Sequence, residues 1–135
     1  QTILAMLTTH GCLKVSDNHA KHTGLGHTDI GLVKGFLSLE NKQKIVDALS
    51  HALPTLTWQE NISDKQWRKL SINCVINPLT ALAQVKNGEI TKEKYITQVS
   101  KLCEEITAVA KCQYITLDKQ ELVENAFTVA ILLCI

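Results

Sequence analysis

The sequence has 135 residues, enough for one domain with a real core or for pieces of two, and its formal net charge is +1. Lys, Arg, Asp and Glu are interspersed and aromatic residues are few, which argues against a nucleic-acid surface. The longest apolar run, Phe127 to Ile135, falls short of the ~20 residues of a membrane helix, and Gln1-Thr2 opens no signal-peptide pattern.

Thr2 to Thr9 (TILAMLTT) is a short apolar run ending in polar residues and reads as a buried strand. Leu13 to Ala20 and His27 to Leu32 read as further strands, set apart by the turn-forming Ser16-Asp17-Asn18 and Thr23-Gly24-Leu25-Gly26. Asn41 to Leu53 carries Ile45, Val46, Ala48, Leu49 and Ala52 at a helical period, and Pro54 stops it. Thr55 to Trp58 is a brief extended segment. From Asn61 the texture changes to helices. Ser63 followed by Gln66 is a capping box that starts a helix near Asp64. Thr91 to Lys111 is amphipathic through Ile96, Val99, Leu102, Cys103, Ile106 and Val109. Asp118 with Glu121 caps a last helix running through Leu122, Val123, Ala126, Phe127 and Ala130.

The chemistry concentrates in Trp67 to Glu89. Helical spacing puts Lys69, Asn73 and Asn77 at i, i+4 and i+8, so an ammonium and two carboxamides share one face. The residues between them (Leu70, Ile72, Cys74, Val75, Ile76, Leu79) are apolar nearly all round, which predicts a helix buried on most sides with its polar groups at a cleft. A lysine so placed is expensive unless something uses it. The bland alternatives are a solvated lysine with a packed stem and amides that cap loose backbone. Pro78 predicts a kink or break near Asn77, and Asn87-Gly88 is expected to end the segment.

Lys69-Leu70-x-x-Asn73-Cys74-Val75-Ile76-Asn77-Pro78-Leu79-Thr80-Ala81 and then Asn87-Gly88-Glu89 resemble the signature helix of the ketopantoate reductase (2-dehydropantoate 2-reductase) family. Thr8-Thr9-His10 and Gly24-x-Gly26-x-Thr28-x-Ile30-Gly31 resemble a second, looser family pattern, and the likeness runs from about Leu7 to about Val129. The resemblance implies an α/β fold followed by all-α. Residues 1–59 would be the tail of a Rossmann-type NADP-binding domain. Residues 60–135 would be the first helices of a helical C-terminal domain like that of 6-phosphogluconate dehydrogenase.

It further implies NADPH-dependent reduction of ketopantoate to pantoate in pantothenate biosynthesis. Lys69 would be the general acid, Asn73, Asn77 and Asn87 would bind the substrate, and the residue at the position of Cys12 would contact NADPH through its backbone. An ammonium can stabilise and protonate the alkoxide that hydride transfer creates, whereas an arginine holds its proton too tightly. A family member also carries a Gly-x-Gly-x-x-Gly turn and C-terminal serine and glutamate residues that do not occur here, so the chain resembles the middle of such an enzyme and alone is expected to be inactive. The implied location is cytoplasmic, and a homodimer stays open. Two rivals stand beside this reading: a related 2-keto acid reductase on the same scaffold, and a non-catalytic helical interaction module.

His10, His19, His22 and His27 invite a metal reading, but they lie in strand or loop context without a cysteine pair, and no metal is expected. Gly24 to Gly31 has the wrong spacing for a phosphate loop and reads as a tight hairpin with strand glycines. The five cysteines, Cys12, Cys74, Cys103, Cys112 and Cys134, form no CxxC pair and are expected to be reduced, buried thiols.

Overall fold

The computed structural model describes residues 1–53 and 55–132. Pro54, expected to stop the first helix, and Cys134 in the C-terminal run lie outside the described residues. The chain divides into two compact units, Gln1–Lys65 and Gln66–Ile135. The architecture is α/β followed by all-α, in the order read from the sequence.

In the first unit, β1 (Ile3–Thr8) pairs antiparallel with β4 (Thr28–Lys34), from Leu4 opposite Leu32 to Thr8 opposite Thr28. Between them in sequence, β2 (Gly11–Ser16) and β3 (His19–Gly24) form a separate two-stranded sheet. Leu13 to Ala20 is therefore not one strand. The chain reverses at Asp17-Asn18, where Lys14 and Asp17 form an ion pair at 2.8 Å across the turn. Nor is Gly24 to Gly31 a hairpin, because β4 pairs with β1 and β5 rather than with β3. The strand expected at His27 to Leu32 is present as β4, but reading the glycine cluster as a hairpin missed that it finds its partner 20 residues earlier.

Helix α1 (Leu39–Ser50) begins two residues ahead of the expected Asn41, because Ser38 is its cap: the Asn41 N–H donates to Ser38 Oγ at 3.3 Å. It leads to β5 (Leu56–Trp58), which pairs parallel with β4 and makes β4 the central strand of the order β1-β4-β5. Thr28, Asp29, Ile30 and Gly31 of β4 are buried as a block, as expected of a strand covered on both faces. Gly31 is required by close approach: a Cβ there would lie 2.5 Å from the Gln59 carbonyl and 2.6 Å from Ile62 Cβ.

Helix α2 (Ile62–Ala83) starts before the expected Asp64. Asn61, not Ser63, caps it, accepting the Asp64 N–H at 3.3 Å. Pro78 lies inside α2 and does not break it; the helix continues to Ala83. Proline cannot donate to the Cys74 carbonyl four residues back, so continuity past it relies on the neighbouring turns. Thr80 Oγ1 donates to the Ile76 carbonyl at 3.0 Å and lies 3.2 Å from that of Asn77.

The helix ends with Gln84 in the left-handed region (φ 52°) and the Val85 N–H donating to the Thr80 carbonyl at 3.1 Å. That is a Schellman closure built without glycine. Asn87-Gly88 is consequently not the helix terminus; it opens a short 3-10 helix, Asn87–Thr91. Helix α3 (Glu93–Cys112) closes in the same way on Tyr114 (φ 60°), with the Ile115 N–H on the Ala110 carbonyl at 3.0 Å. Helix α4 (Lys119–Leu132) carries the expected cap, the Glu121 N–H donating to Asp118 Oδ1 at 2.8 Å.

The core of the second unit joins Val75 of α2 to Val99 and Cys103 of α3 and Leu122 and Ala126 of α4. Ile76, Ile90 and Ala130 form an adjoining cluster. Each such aliphatic side chain contributes about 1.5–3 kcal/mol by leaving water, which outweighs anything the short caps supply. Cys103 is the one buried thiol among the described cysteines; Cys12, Cys74 and Cys112 are exposed, against the expectation of buried thiols. Burial pushes the Cys103 thiol up from its ordinary range.

Candidate functional site

Helix α2 meets its core along Ile72, Val75, Ile76 and Leu79, an i, i+3, i+4, i+7 stripe. At 100° per residue, Lys69, Asn73 and Asn77 sit roughly 70°, 110° and 150° from the centre of that stripe. The row therefore starts at the margin of the core and drifts outward. Its burial follows: Lys69 is half-buried, and Asn73 and Asn77 are exposed. From Lys69 to Asn77 the row is about 12 Å long.

The helix is not buried nearly all round, as its composition suggested. Leu70 on the far side is 52% exposed, and Leu82 is 86% exposed. One face is core and the other is an apolar surface edged by the Lys69-Asn73-Asn77 row. Apolar residues all round a helix predict burial only when something covers the second face.

Asn87 follows α2 in the same unit, half-buried at the opening of the 3-10 helix. Backbone bonds brace this turn, the Glu89 N–H donating to the Lys86 carbonyl at 3.0 Å and the Lys92 N–H to that of Glu89 at 3.1 Å. Thr91 Oγ1 also donates to the Gly88 carbonyl at 2.9 Å. Thr80, which the sequence reading passed over, bonds back to the carbonyls beside Pro78 and supplies the acceptor that closes α2. Its only sequence signal was a hydroxyl two residues after a helical proline.

A cavity of 20 Å³ lies among Arg68, Ile72, Leu117, Asp118, Glu121, Leu122 and Asn125. It has room for about one water and includes neither Lys69 nor the asparagines. Arg68 ion-pairs there with Glu121 at 3.1 Å.

In the first unit, Cys12 is exposed on β2 opposite His22. The polar centre of this unit is Asp29, which is 5% exposed. Gln59 Nε2 donates to its Oδ1 at 2.5 Å, and His27 Nε2 lies 3.1 Å from its Oδ2. A carboxylate accepts only, so the proton of His27 sits on Nε2. Nδ1 of the neutral ring can then accept from Thr9 Oγ1 at 3.1 Å, while Thr9 Oγ1 accepts the His27 N–H at 2.9 Å. Sequence reading missed this network because its members lie up to 30 residues apart. His10 and His22 meet at 3.1 Å. Among the described residues no group of three His, Cys, Asp or Glu side chains could hold a metal ion, and no helix is long and apolar enough to cross a membrane.

Comparison with known proteins bears on the same stretch. The family model described as ketopantoate reductase PanE/ApbA C terminal matches residues 61–132. A 2-dehydropantoate 2-reductase of Vibrio cholerae is 36% identical over 128 residues, covering 94% of this chain and 42% of that protein. The chain thus spans about two-fifths of that relative's length. A D-mandelate dehydrogenase solved in complex with NADH superimposes with a TM-score of 0.79 at 21% identity, over 93% of this chain and 42% of its own. A dimeric ketopantoate reductase from Staphylococcus aureus does so with a TM-score of 0.75 at 18% identity, over 94% and 42%. At these identities the two structures speak for the fold alone.

Proposed function

We propose, because this chain belongs to the ketopantoate reductase family, that the protein is an NADPH-dependent 2-dehydropantoate 2-reductase, reducing ketopantoate to pantoate for pantothenate biosynthesis. The observation that carries the reading is the row of Lys69, Asn73 and Asn77 on the exposed flank of a helix whose opposite face is anchored in a core. Residues 1–59 then belong to the end of the NADP-binding domain and 60–135 to the first helices of the substrate domain. A cytoplasmic location and a homodimer form part of the same reading.

When bound, the nicotinamide supplies a hydride to the C2 ketone carbon. The groups of this chain do the rest. As the carbonyl π electrons move onto oxygen, the Lys69 ammonium offsets the developing negative charge and transfers its proton, so that a 2-hydroxy acid leaves and a neutral amine remains to be recharged by solvent. Asn73, Asn77 and Asn87 each offer a carboxamide that donates to carboxylate or ketone and accepts from hydroxyl, fixing which end of the substrate meets Lys69. Lys69 is half-buried beside the core stripe, which limits its swing, so the ammonium does not have to be ordered anew for each turnover. On the cofactor side, β2 belongs to a two-stranded sheet and keeps an edge with no strand neighbour among the described residues. Main-chain groups at Cys12 would meet the cofactor from that hairpin.

The test is kinetic, on the product of the whole reading frame that contains this chain. Lys69→Ala should lower kcat by about 10²- to 10⁴-fold, the usual worth of a general acid, with Lys69→Arg restoring little. Asn73→Ala and Asn77→Ala should act mainly on KM. Normal turnover in Lys69→Ala would sink the general-acid role, and ketopantoate turning over no faster than other 2-keto acids would sink the substrate.

A further inference from the structure

We infer that His10 and His22 form a proton-sensitive clasp that closes the β2–β3 hairpin onto the start of β4 at neutral pH and releases it in acid. The inference stands apart from the reductase reading. His10 Nδ1 is the shared acceptor of two donors. The Gly26 N–H points at it from 3.3 Å, and His22 Nε2 lies 3.1 Å away, with the ring centroids 5.2 Å apart. An amide N–H cannot accept, so Nδ1 of His10 carries no proton in this arrangement and His22 must donate from Nε2.

The backbone leaves His10 little room to turn away. A Cβ at Gly26 would lie 2.4 Å from the Thr9 carbonyl carbon and 2.5 Å from the His10 nitrogen, so the loop before β4 rests directly on the Thr9–His10 link. The other ring nitrogen, Nε2 of His10, is buried and has no hydrogen-bond partner. The neutral ring already carries its proton on that Nε2, so a proton added to His10 goes to Nδ1, placing an N–H against two N–H groups.

Among the described residues of the surrounding strands and their turn, no carboxylate stands ready to compensate. The titratable groups of the surrounding strands are Cys12, Lys14, His19 and Lys21 on the hairpin, Asp17 in its turn, and His27 and Asp29 on the approach to and within β4. Asp17 is engaged by Lys14, and Asp29 by His27 and Gln59. Elsewhere in the unit, Glu40 pairs with Lys44, Asp47 accepts from Gln43, and Glu60 pairs with Lys42. Acid should thus separate His22 from His10 and free the Gly26 amide together, loosening the hairpin that carries Cys12 opposite His22.

The experiment is amide hydrogen exchange and imidazole nitrogen NMR on the ¹⁵N-labelled protein, between pH about 8 and about 5, across the ordinary histidine range. Corrected for intrinsic rates, protection of the Gly26 amide should fall about five- to tenfold in acid, the net worth of one hydrogen bond. His10→Asn puts a non-titrating carboxamide oxygen where Nδ1 lies, and its Gly26 protection should not change with pH. A wild-type amide indifferent to pH, or an equal acid loss in His10→Asn, overturns the clasp. If that variant does not fold, the wild-type ring decides. A proton on His10 Nδ1 at neutral pH overturns the proposal, and an unprotonated Nδ1 that gains its proton as hairpin contacts vanish supports it.

Discussion

Truncating α2 on its two faces tests whether one side alone is anchored. Val75 is fully buried against Val99, Cys103, Leu122 and Ala126. Val75→Ala removes two carbons, about 1.6 kcal/mol of transfer free energy at about 0.8 per group. If nothing collapses into the space, a void of roughly 50 Å³ adds about 1.2 kcal/mol at ~24 cal/mol per Å³. The expected loss is therefore about 1.6–2.8 kcal/mol. Leu70, on the far side of the same helix, is 52% exposed, and Leu70→Ala should cost less than about 1 kcal/mol. Urea unfolding of the 135-residue chain and both variants, followed by circular dichroism, gives the two numbers on one baseline. Equal losses, or a Val75→Ala loss below about 0.5 kcal/mol, would refute the one-faced packing and with it the placement of the Lys69-Asn73-Asn77 row at a core margin.

Three other outcomes follow from the same geometry. In the native protein Cys12, Cys74 and Cys112 should alkylate readily while Cys103, buried and with its thiol pushed up, should not react until denaturant is added; peptide mass spectrometry reads the difference. Gln84→Gly should raise stability by roughly 0.5 kcal/mol, because glycine adopts the left-handed C-terminal position without the Cβ penalty, and a loss would show that the Gln84 side chain makes a contact of its own. Glu60 is held below the usual carboxylate range by the Lys42 ammonium at 2.6 Å, so its contribution is present at neutral pH and lost as pH falls through that lowered value. Lys42→Gln should move the Glu60 titration, followed by carboxyl ¹³C shifts, up toward the ordinary range; an unmoved midpoint would exclude Lys42 as the main cause.

How much was legible beforehand depended on the range of the interaction concerned. Helices α3 and α4 could be read off because a 3.6-residue apolar period and an Asp118 cap are local, and local patterns determine where a helix forms and which face it buries. The Lys69-Asn73-Asn77 row was legible for the same reason, since helical spacing alone puts the three on one side. Proline signalled a kink or break near Asn77, and no break occurs, because the Thr80 hydroxyl bond and anchoring by Val75 and Ile76 outweigh one lost donor.

Non-local pairing was a different matter. Nothing within Gly24 to Gly31 announces that β4 pairs with β1 on one side and β5 on the other, because strand partners are chosen by contacts across the chain and not by neighbours in it. The cysteines and the far face of α2 follow the same logic: apolar composition states a capacity for burial, and only tertiary packing decides which of those surfaces is covered. What the sequence by itself determined here was the order of elements and the spacing of an ammonium and two amides along one helix. What the tertiary structure decided was the central place of β4, the burial of Asp29 with its distant partners, and how far out of the core the polar row of α2 emerges. Those depend on packing free energies summed over residues far apart in the chain.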